Sequence, residues 1–483
     1  MDIISLLELL VNGLIEAEEK FLDNPQDFYS LEKAVKSTTE SFSASFLGAV
    51  LSSVNQQIYD CSWRQGKYKV QRNEMRTIVT SVGDVTFNNT YYKRMKDEGG
   101  YVSLLEDMIG LDKHERFSEE AEVLLLTEAL KTSYQEATRV LPSKQQITKT
   151  TVMNKVHQLA EEVVFEAPEE KKQMKYLFIE ADEDHVAEQH GVSSEENKNF
   201  ISKLVYVYEC KKDMKGSADK KELVNSFYFG GLYPGQEGNE KLWSNVQDYI
   251  NKTYDTEYLK RIFISGDGAA WIKSGADILE KALFCADKFH LMKYINHAAA
   301  QVLDEKEVAK NELWHLLYSK KPNAKERFEE YTNRMMVVAK KPEKVEELKK
   351  YVLGNWAAIR RTLRNKLVNG CSAESHVSHV LSDRLSSRPM GWSQTGADRM
   401  SKLRCYEKNY GREGIINLVR YSREQRKLRA SGTEGITVKE ASLREIRAEH
   451  YNQAMSYIER IQAQIPGLTA KKAAFIKTQL RLL

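Results

Sequence analysis

The chain has little cysteine, and what it has is scattered. Cys61, Cys210, Cys285, Cys371 and Cys405 are odd in number and form no C-x-x-C pair. That excludes a zinc ribbon and a disulfide framework and indicates reduced thiols, as in a cytoplasmic protein. Long apolar runs are also missing, so no segment reads as a membrane span. The opening stretch, MDIISLLELLVNGLIEAEEKFLD, lacks a basic leader and carries acids in its second half, so it reads as an amphipathic helix rather than a targeting signal. Net charge is low as well, at +3, so bulk charge names no partner. With 41% apolar and 29% charged residues in 483, the composition is that of a foldable protein of several domains.

Leu6, Leu7, Leu10 and Leu14 recur at helical spacing, and the first 60 residues read as helices. A hairpin follows: Arg76–Ser81, a Val-Gly-Asp turn, then Val85–Tyr92, with β-branched and aromatic residues on both arms. Residues 118–163 return to helix. Within them, SYQEATRVL, PSKQQ and ITKTTVMNKVHQLAEEV give the outline of a helix-turn-helix near 132–160. A plain helical hairpin would give the same outline. Thr148, Lys149, Thr150 and Lys155 are its candidate DNA contacts.

After a polar linker (167–173) the period changes. KYLFIEA, ISKLVYVYE (201–209) and ELVNSFYFGG (222–231) read as strands. NEKLWSNVQDYINKTY reads as a helix, RIFISGDG (261–268) as a strand, Trp271–Glu280 as a short helix and ALFCAD (282–287) as a strand. Three strands, helix, strand, helix, strand is the element order of an RNase H-like fold, a mixed sheet with helices on both faces. Beyond Met292 no strand signal appears for about 75 residues, which reads as an all-helical insertion before a last core helix, CSAESHVSHVLSDRLSS (371–387). From 384 to 430 the chain is basic, with twelve Lys or Arg against four Asp or Glu, and the tail to Leu483 reads as basic helix. The expected division is 1–115 helical with the hairpin, 116–168 helix-turn-helix, 169–295 first part of an α/β core, 296–370 helical insertion, 371–400 last core helix and 401–483 basic helical region.

Phosphoryl transfer on DNA needs divalent cations at the scissile phosphate and an aligned nucleophile. Magnesium takes oxygen ligands, a few carboxylates with water and phosphate. A sheet of this kind supplies one carboxylate from its first strand, one from its fourth and one from its last helix. Acids stand at all three places: Asp182 in FIEADEDHV, Asp267 in FISGDGAAW and Glu374 in GCSAESHVSHV. Alternation puts Glu180, Asp182 and Asp184 on one face, so any of the three could be the first ligand; Asp182 is preferred, with Asp184 the alternative. Asp267 also suits a turn, and Glu374 also suits a helix start with Ser372 as cap. Asp287 and His290 form a D-x-x-H read as supporting the acids or contacting DNA, and His376 and His379 have no cysteine partners for zinc.

The stretches FIEADEDHVAEQ, FYFGGLYPG, EKLWSNVQDYINKTYDTEYLKRIFISGDGAAWIK, DKFHLMKYI and ESHVSHVLSDRLSSRPMGWSQTGADRMSKLR, with the TIVTSVGDVTFNNTYYKR hairpin, resemble the ISLre family of bacterial insertion-sequence transposases, long catalogued as an uncharacterised protein family. The resemblance covers nearly the whole chain. It implies a DDE transposase with an RNase H-like core, two Mg²⁺ or Mn²⁺ ions on Asp182, Asp267 and Glu374, and DNA cleavage followed by strand transfer. The D-x-x-H and the helical insertion are similar to those of mutator-like transposases. The expected partners are the terminal inverted repeats, target DNA and a second copy of the chain or more, in the bacterial cytoplasm at the nucleoid and not at a membrane. Arg384, Arg388, Lys402 and Arg404 would grip phosphates, and Trp356 or Trp392 would stack on an unpaired base or fill a core. The rivals are an RNase H-like nuclease without strand transfer and a DNA-binding regulator without catalysis.

Overall fold

The computed structural model describes residues 3–430, apart from 62, 63, 65, 96–100, 160–167, 190–198, 214–220, 303, 304, 369 and 389. The basic tail from residue 431 onward therefore lies outside the described residues. The chain divides into two compact units, the first made of Met1–Ala129, Ser133–Val152 and Leu418–Leu483, the second of Leu130–Thr132 and Met153–Asn417. Among the described residues no helix is long and apolar enough to cross a membrane.

The first unit opens with α1 (Ile3–Asp23) and α2 (Phe28–Asp60), the latter capped where Asp27 accepts the Ser30 N–H at 3.1 Å. The hairpin follows as β1 (Tyr68–Thr80) and β2 (Gly83–Arg94), both longer than the sequence suggested, and β3 (Val102–Ser103) pairs on β2. Then come α3 (Leu104–Ile109), α4 (Glu119–Ala129), α5 (Tyr134–Ala137) and α6 (Lys149–His157), which runs past the unit's end at Val152. Phe87, Tyr92, Leu104 and Leu105 form one core, and Phe117, Ala121, Leu125, Ala137 and Val152 another. The helix-turn-helix expected near 132–160 differs in its first half, and its residue 160 lies outside the described residues. Its first helix is a single turn, and Thr138–Thr148 separates it from α6. Asp84 holds that long connection by accepting the Ser143 hydroxyl at 2.5 Å and the Lys144 N–H at 3.0 Å.

The second unit is built on a five-stranded mixed sheet. Its strands are β4 (Tyr176–Ala187), β5 (Asn199–Tyr208), β8 (Phe227–Gly231), β9 (Arg261–Gly266) and β10 (Ala282–Ala286), in the order β10-β9-β4-β5-β8. β4, β9 and β10 run parallel, whereas β5 is antiparallel to β4 and β8 to β5. The run 222–231 is not one strand: β6 (Cys210–Asp213) and β7 (Lys221–Val224) form a separate ribbon, and Asn225, with φ +52°, breaks the chain before β8. The helices are α7 (Gly235–Thr253), α8 (Ala270–Ile278) and α9 (Lys288–Ala299). Next are α10 (Lys306–Tyr318), α11 (Ala324–Val338), α12 (Pro342–Gly354) and α13 (Trp356–Arg364). The unit closes with α14 (Ala373–Val377), a π-helical turn (Ser378–Ser382), α15 (Asp383–Leu385) and the part of α16 (Gln394–Ala430, interrupted at Gly411) that precedes Leu418, where the first unit resumes.

Odd positions of β4 (Leu177, Ile179, Ala181) face a core shared with Val246 and Ile250 of α7 and Ile272 of α8. That core runs on without a break into Leu313, Phe328, Leu348 and Ile359, so the helical insertion shares its hydrophobic interior with the sheet. α13 also shields the sheet edge. Arg361 donates to the Phe284 carbonyl and Thr362 to the Ala286 carbonyl, covering acceptors that β10 would otherwise leave open. The opposite face, over β5 and β8, is met by α16, where Ser401 bonds Ser202 at 2.8 Å and Asn409 bonds the backbone of Tyr228.

Candidate active site

The acidic run lies inside β4 rather than after it, because β5 pairs with β4 as far as Ala187. Alternation then puts Glu180, Asp182 and Asp184 on the face that the core does not use. Their surroundings differ. Glu180 is 1% exposed and accepts hydrogen bonds from Tyr206, from Tyr208 (2.8 Å), and from both the N–H (2.7 Å) and hydroxyl (2.9 Å) of Ser372, with Lys211 at 2.7 Å. Burial opposes its charge, but the Lys211 ammonium and these donors outweigh burial and hold its carboxyl below the ordinary value. Asp184 is 8% exposed; its Oδ1 accepts the Ser386 hydroxyl at 2.8 Å, its Oδ2 is buried without a partner, and burial raises its pKa.

Asp182, between them, faces other acids. The last pair of the parallel β4–β9 seam is Glu180 with Ser265, so Asp182 and Asp267 stand two residues farther along adjacent strands. Burial, and after it the negative charge of Asp267, push Asp182 up to about 6, against the Glu183 N–H and the charge of His290. Glycine makes this approach feasible. A Cβ at Gly266 would stand 2.8 Å from the Ala181 carbonyl oxygen, and Gly268 has φ +101°. Asp267 itself accepts the Ala269 N–H at 2.8 Å.

The third parallel strand adds Asp287, whose N–H bonds the Gly266 carbonyl at 2.8 Å. Its carboxylate caps α9 through the Phe289 N–H (2.9 Å) and binds His290 Nδ1 (2.8 Å). That hydrogen bond, with the charges of Asp287, Asp182 and Asp267, raises the His290 pKa in spite of burial. Asp267 and Asp287 thus follow the carboxyl ends of β9 and β10, and Asp182 lies inside β4 just past its last parallel pair with β9. The carboxyl end of parallel pairing is where open α/β sheets bind ligands.

Glu374 sits in the first turn of α14. The start of that helix is tied to Glu180 through Ser372, and α15 to Asp184 through Ser386. Its own carboxylate is exposed and has no hydrogen-bond partner among the described residues. Among those residues, no three His, Cys, Asp or Glu side chains come together as a metal-binding group. The structure therefore brings Asp182 beside Asp267 and the Asp287–His290 pair, with Glu374 exposed on the helix that Ser372 ties to Glu180. His376 is held by Tyr228 (Nδ1 to hydroxyl, 3.0 Å) with burial pushing it down to about 4; His379 is exposed.

The candidate DNA contacts divide. Thr148, Lys149 and Thr150 are exposed at the start of α6, where Thr148 accepts the Thr151 N–H at 3.2 Å. Lys155 is buried, 6% exposed, and not presented to solvent. Arg388 is exposed, and Lys402 is bonded to Asp398 at 2.7 Å. Arg384 is 4% exposed, with its guanidinium 4.6 Å from the Trp392 ring, and Arg404 donates to the carbonyls of Val380, His379 and Leu130. Both arginines are occupied inside the fold, Arg404 on the carbonyls of the π turn, so neither guanidinium is free for a phosphate. Trp392 is 5% exposed and bonds the Leu385 carbonyl, and Trp356 packs against Phe328. Sequence reasoning missed the anchoring role of Glu180. Its acidic neighbours were visible, but its tyrosine partners follow from the β4–β5 register, which sets Glu180 opposite Tyr206.

These features define a mixed α/β protein with an acidic site where the parallel pairing of β4 and β9 ends. The chain belongs to the uncharacterised protein family UPF0236, whose model matches residues 21–422. A UPF0236 protein of Caldanaerobacter subterraneus subsp. tengcongensis, whose name carries eleven TTE designations, is 32% identical over 81% of this chain and 80% of its own length. A second UPF0236 protein of that strain is 31% identical over 82% of each chain. Among solved structures, the Drosophila P element transposase strand transfer complex covers 76% of this chain and 92% of its own, at 13% identity and a TM-score of 0.22.

Proposed function

We propose that this protein is a DDE transposase of the ISLre type, cutting DNA at the ends of an insertion sequence and joining those ends to target DNA. The observation that carries the reading is the pairing of Asp182 with Asp267 across adjacent parallel strands, beside Asp287 and His290. The strand order, with three parallel strands and two alternating ones, is that of an RNase H-like sheet and supports it. So does the name of the first relative, since eleven designations within one strain match the copy number of a mobile element.

The donor set fits hard divalent cations. Magnesium is held by one or two carboxylates together with substrate phosphate and water. Asp182 and Asp267 offer two carboxylates, and burial followed by the negative charge of Asp267 raises the pKa of Asp182. Asp182 and Asp267 would hold Mg²⁺ or Mn²⁺, with Glu374 as the third ligand. Bound there, two such ions would stabilise the charge that develops in an in-line displacement at phosphorus.

The protein's own groups then orient the reaction. Asp287 fixes His290 at the rim of the acids, and Glu180 and Asp184 tie the helix that carries Glu374 to the strand that carries Asp182. Water is the nucleophile for cutting, and the freed 3′-hydroxyl is the nucleophile for joining. Exposed Thr148, Lys149 and Thr150 at the start of α6 suit contacts to the terminal repeats, and two ends require at least two copies of the chain.

The test is incubation of purified protein with Mg²⁺ and DNA carrying the element ends. Cleaved and joined products are expected from the wild type, and Asp267→Asn should lose both while still binding the ends. Cleavage without joining would leave a nuclease. The rival reading, a DNA-binding regulator without catalysis, predicts end binding with neither product and no Mn²⁺ uptake by calorimetry.

A further inference from the structure

The sheet face that carries Asp182 has a second feature at its other end. There the face carries a row of aromatic rings that pack on one another: Phe178 stacks on Tyr208 (5.5 Å, 22°) and on Phe263 (5.8 Å, 25°), and Tyr176 lies 6.1 Å from Phe263. A cavity of about 450 Å³ opens over Tyr176, Phe178 and Tyr208, within the roughly 300–1,000 Å³ usual for small-molecule sites. Tyr176 and Phe178 are only half-buried, so their rings meet the cavity rather than a covering helix.

The charges around the cavity are sorted. Lys211 is spent on Glu180 (2.7 Å) and on the Gly370 carbonyl (3.0 Å). Glu209 is neutralised by Lys172 (3.0 Å), and its oxygens also accept from Asn225 and Tyr254. Lys175 and Lys366, also in the lining, are exposed and make no ion pair among the described residues. What remains on offer is a row of half-buried aromatic rings beside two ammonium groups without an ion pair among the described residues. A planar ring joined to an anion satisfies both at once.

We propose that this cavity binds one unpaired nucleotide, its base against Phe178 and Tyr176 and its phosphate between Lys175 and Lys366. With Glu209 saturated, its carboxylate reads no base edge, so binding tolerates any base. Tyr176 and Asp182 are six residues apart on one face of one strand, a span of about 20 Å. A strand seated in the cavity would therefore run toward the acids. This assignment rests on the reading of the chain as a DNA-handling enzyme.

The experiment uses the full chain and a short oligothymidylate bearing one 5-iododeoxyuridine. Photocrosslinking should place the adduct on Tyr176 or Phe178. Tyr176→Ala should weaken oligonucleotide binding about ten-fold, the loss of one stacked base. Lys175→Glu with Lys366→Glu, both at exposed positions, should do the same with an unchanged melting temperature. Competition by thymidine monophosphate as strong as by the oligomer would assign the site to free nucleotides; competition by the oligomer alone would assign it to a strand. An adduct mapping elsewhere, or lysine variants that bind like the wild type, would overturn the proposal. Cleavage is scored on the same preparations. A crosslink without cleavage keeps the cavity and removes the transposase reading, and cleavage without a crosslink does the reverse.

Discussion

Ser372 donates both its backbone N–H and its hydroxyl to one carboxylate oxygen of Glu180, at 2.7 and 2.9 Å. Through this contact the middle strand of the sheet holds the beginning of the helix that carries Glu374. Glu180 is thus an anchor, although it shares a face and an acidic run with Asp182.

Removing that anchor should be costly. Glu180→Leu leaves Lys211, Tyr206 and Tyr208 facing a side chain that accepts nothing. Breaking a buried ion pair by deleting one partner costs about 3–5 kcal/mol. The expected outcome is a clear fall in melting temperature, with faster amide exchange in 373–385 than in β9. Unchanged exchange in that helix would remove Glu180 from its anchoring role.

Asp182 sets a pH dependence. Its carboxyl titrates near 6 in the folded chain, against about 3.9 when unfolded. Between those values the folded state binds more protons than the unfolded state, so stability falls as pH rises from about 4 to about 6 and stays lower above that. Asp182→Asn removes the charge and should flatten this part of the profile, adding on the order of 1–2 kcal/mol at pH 7 after allowance for solvent screening. Melting temperatures of both proteins from pH 4 to pH 8 check it; parallel profiles would show that Asp182 ionises normally.

Gly266 controls how closely β9 approaches β4. In Gly266→Ala the new methyl meets the Ala181 carbonyl oxygen at 2.8 Å and Ile272 at the same distance. Overpacking of this kind costs about 1–3 kcal/mol. DNA cleavage should fall more than ten-fold under conditions where the variant remains folded by circular dichroism, because Asp267 moves relative to Asp182. Full activity would mean that the spacing of the two acids is not set here.

Arg404 holds the π turn from behind. Arg404→Ala leaves the His379 and Val380 carbonyls without this donor. A loss of about 2–3 kcal/mol is expected for hydrogen bonds from a charged group. Affinity for duplex DNA should change little, because the guanidinium is occupied inside the fold. A large loss of DNA affinity at unchanged stability would return Arg404 to the phosphate-contacting set.

Much of this was legible in the chain as written. The apolar run KYLFIEA and the β-branched runs at 201–209 and 261–266 read as strands. Alternation put Glu180, Asp182 and Asp184 on one side of β4, because that signal is local. The tertiary structure decided what the three acids do. The register of β5 set Tyr206 opposite Glu180, the helix start at Ser372 bonded the same carboxylate, and Ser386 took one oxygen of Asp184, leaving Asp182 to face Asp267. It also placed Arg384 and Arg404 inside the fold while Lys149 stayed exposed. A basic residue has the same charge in either setting, and only packing determines whether backbone carbonyls or solvent surround it.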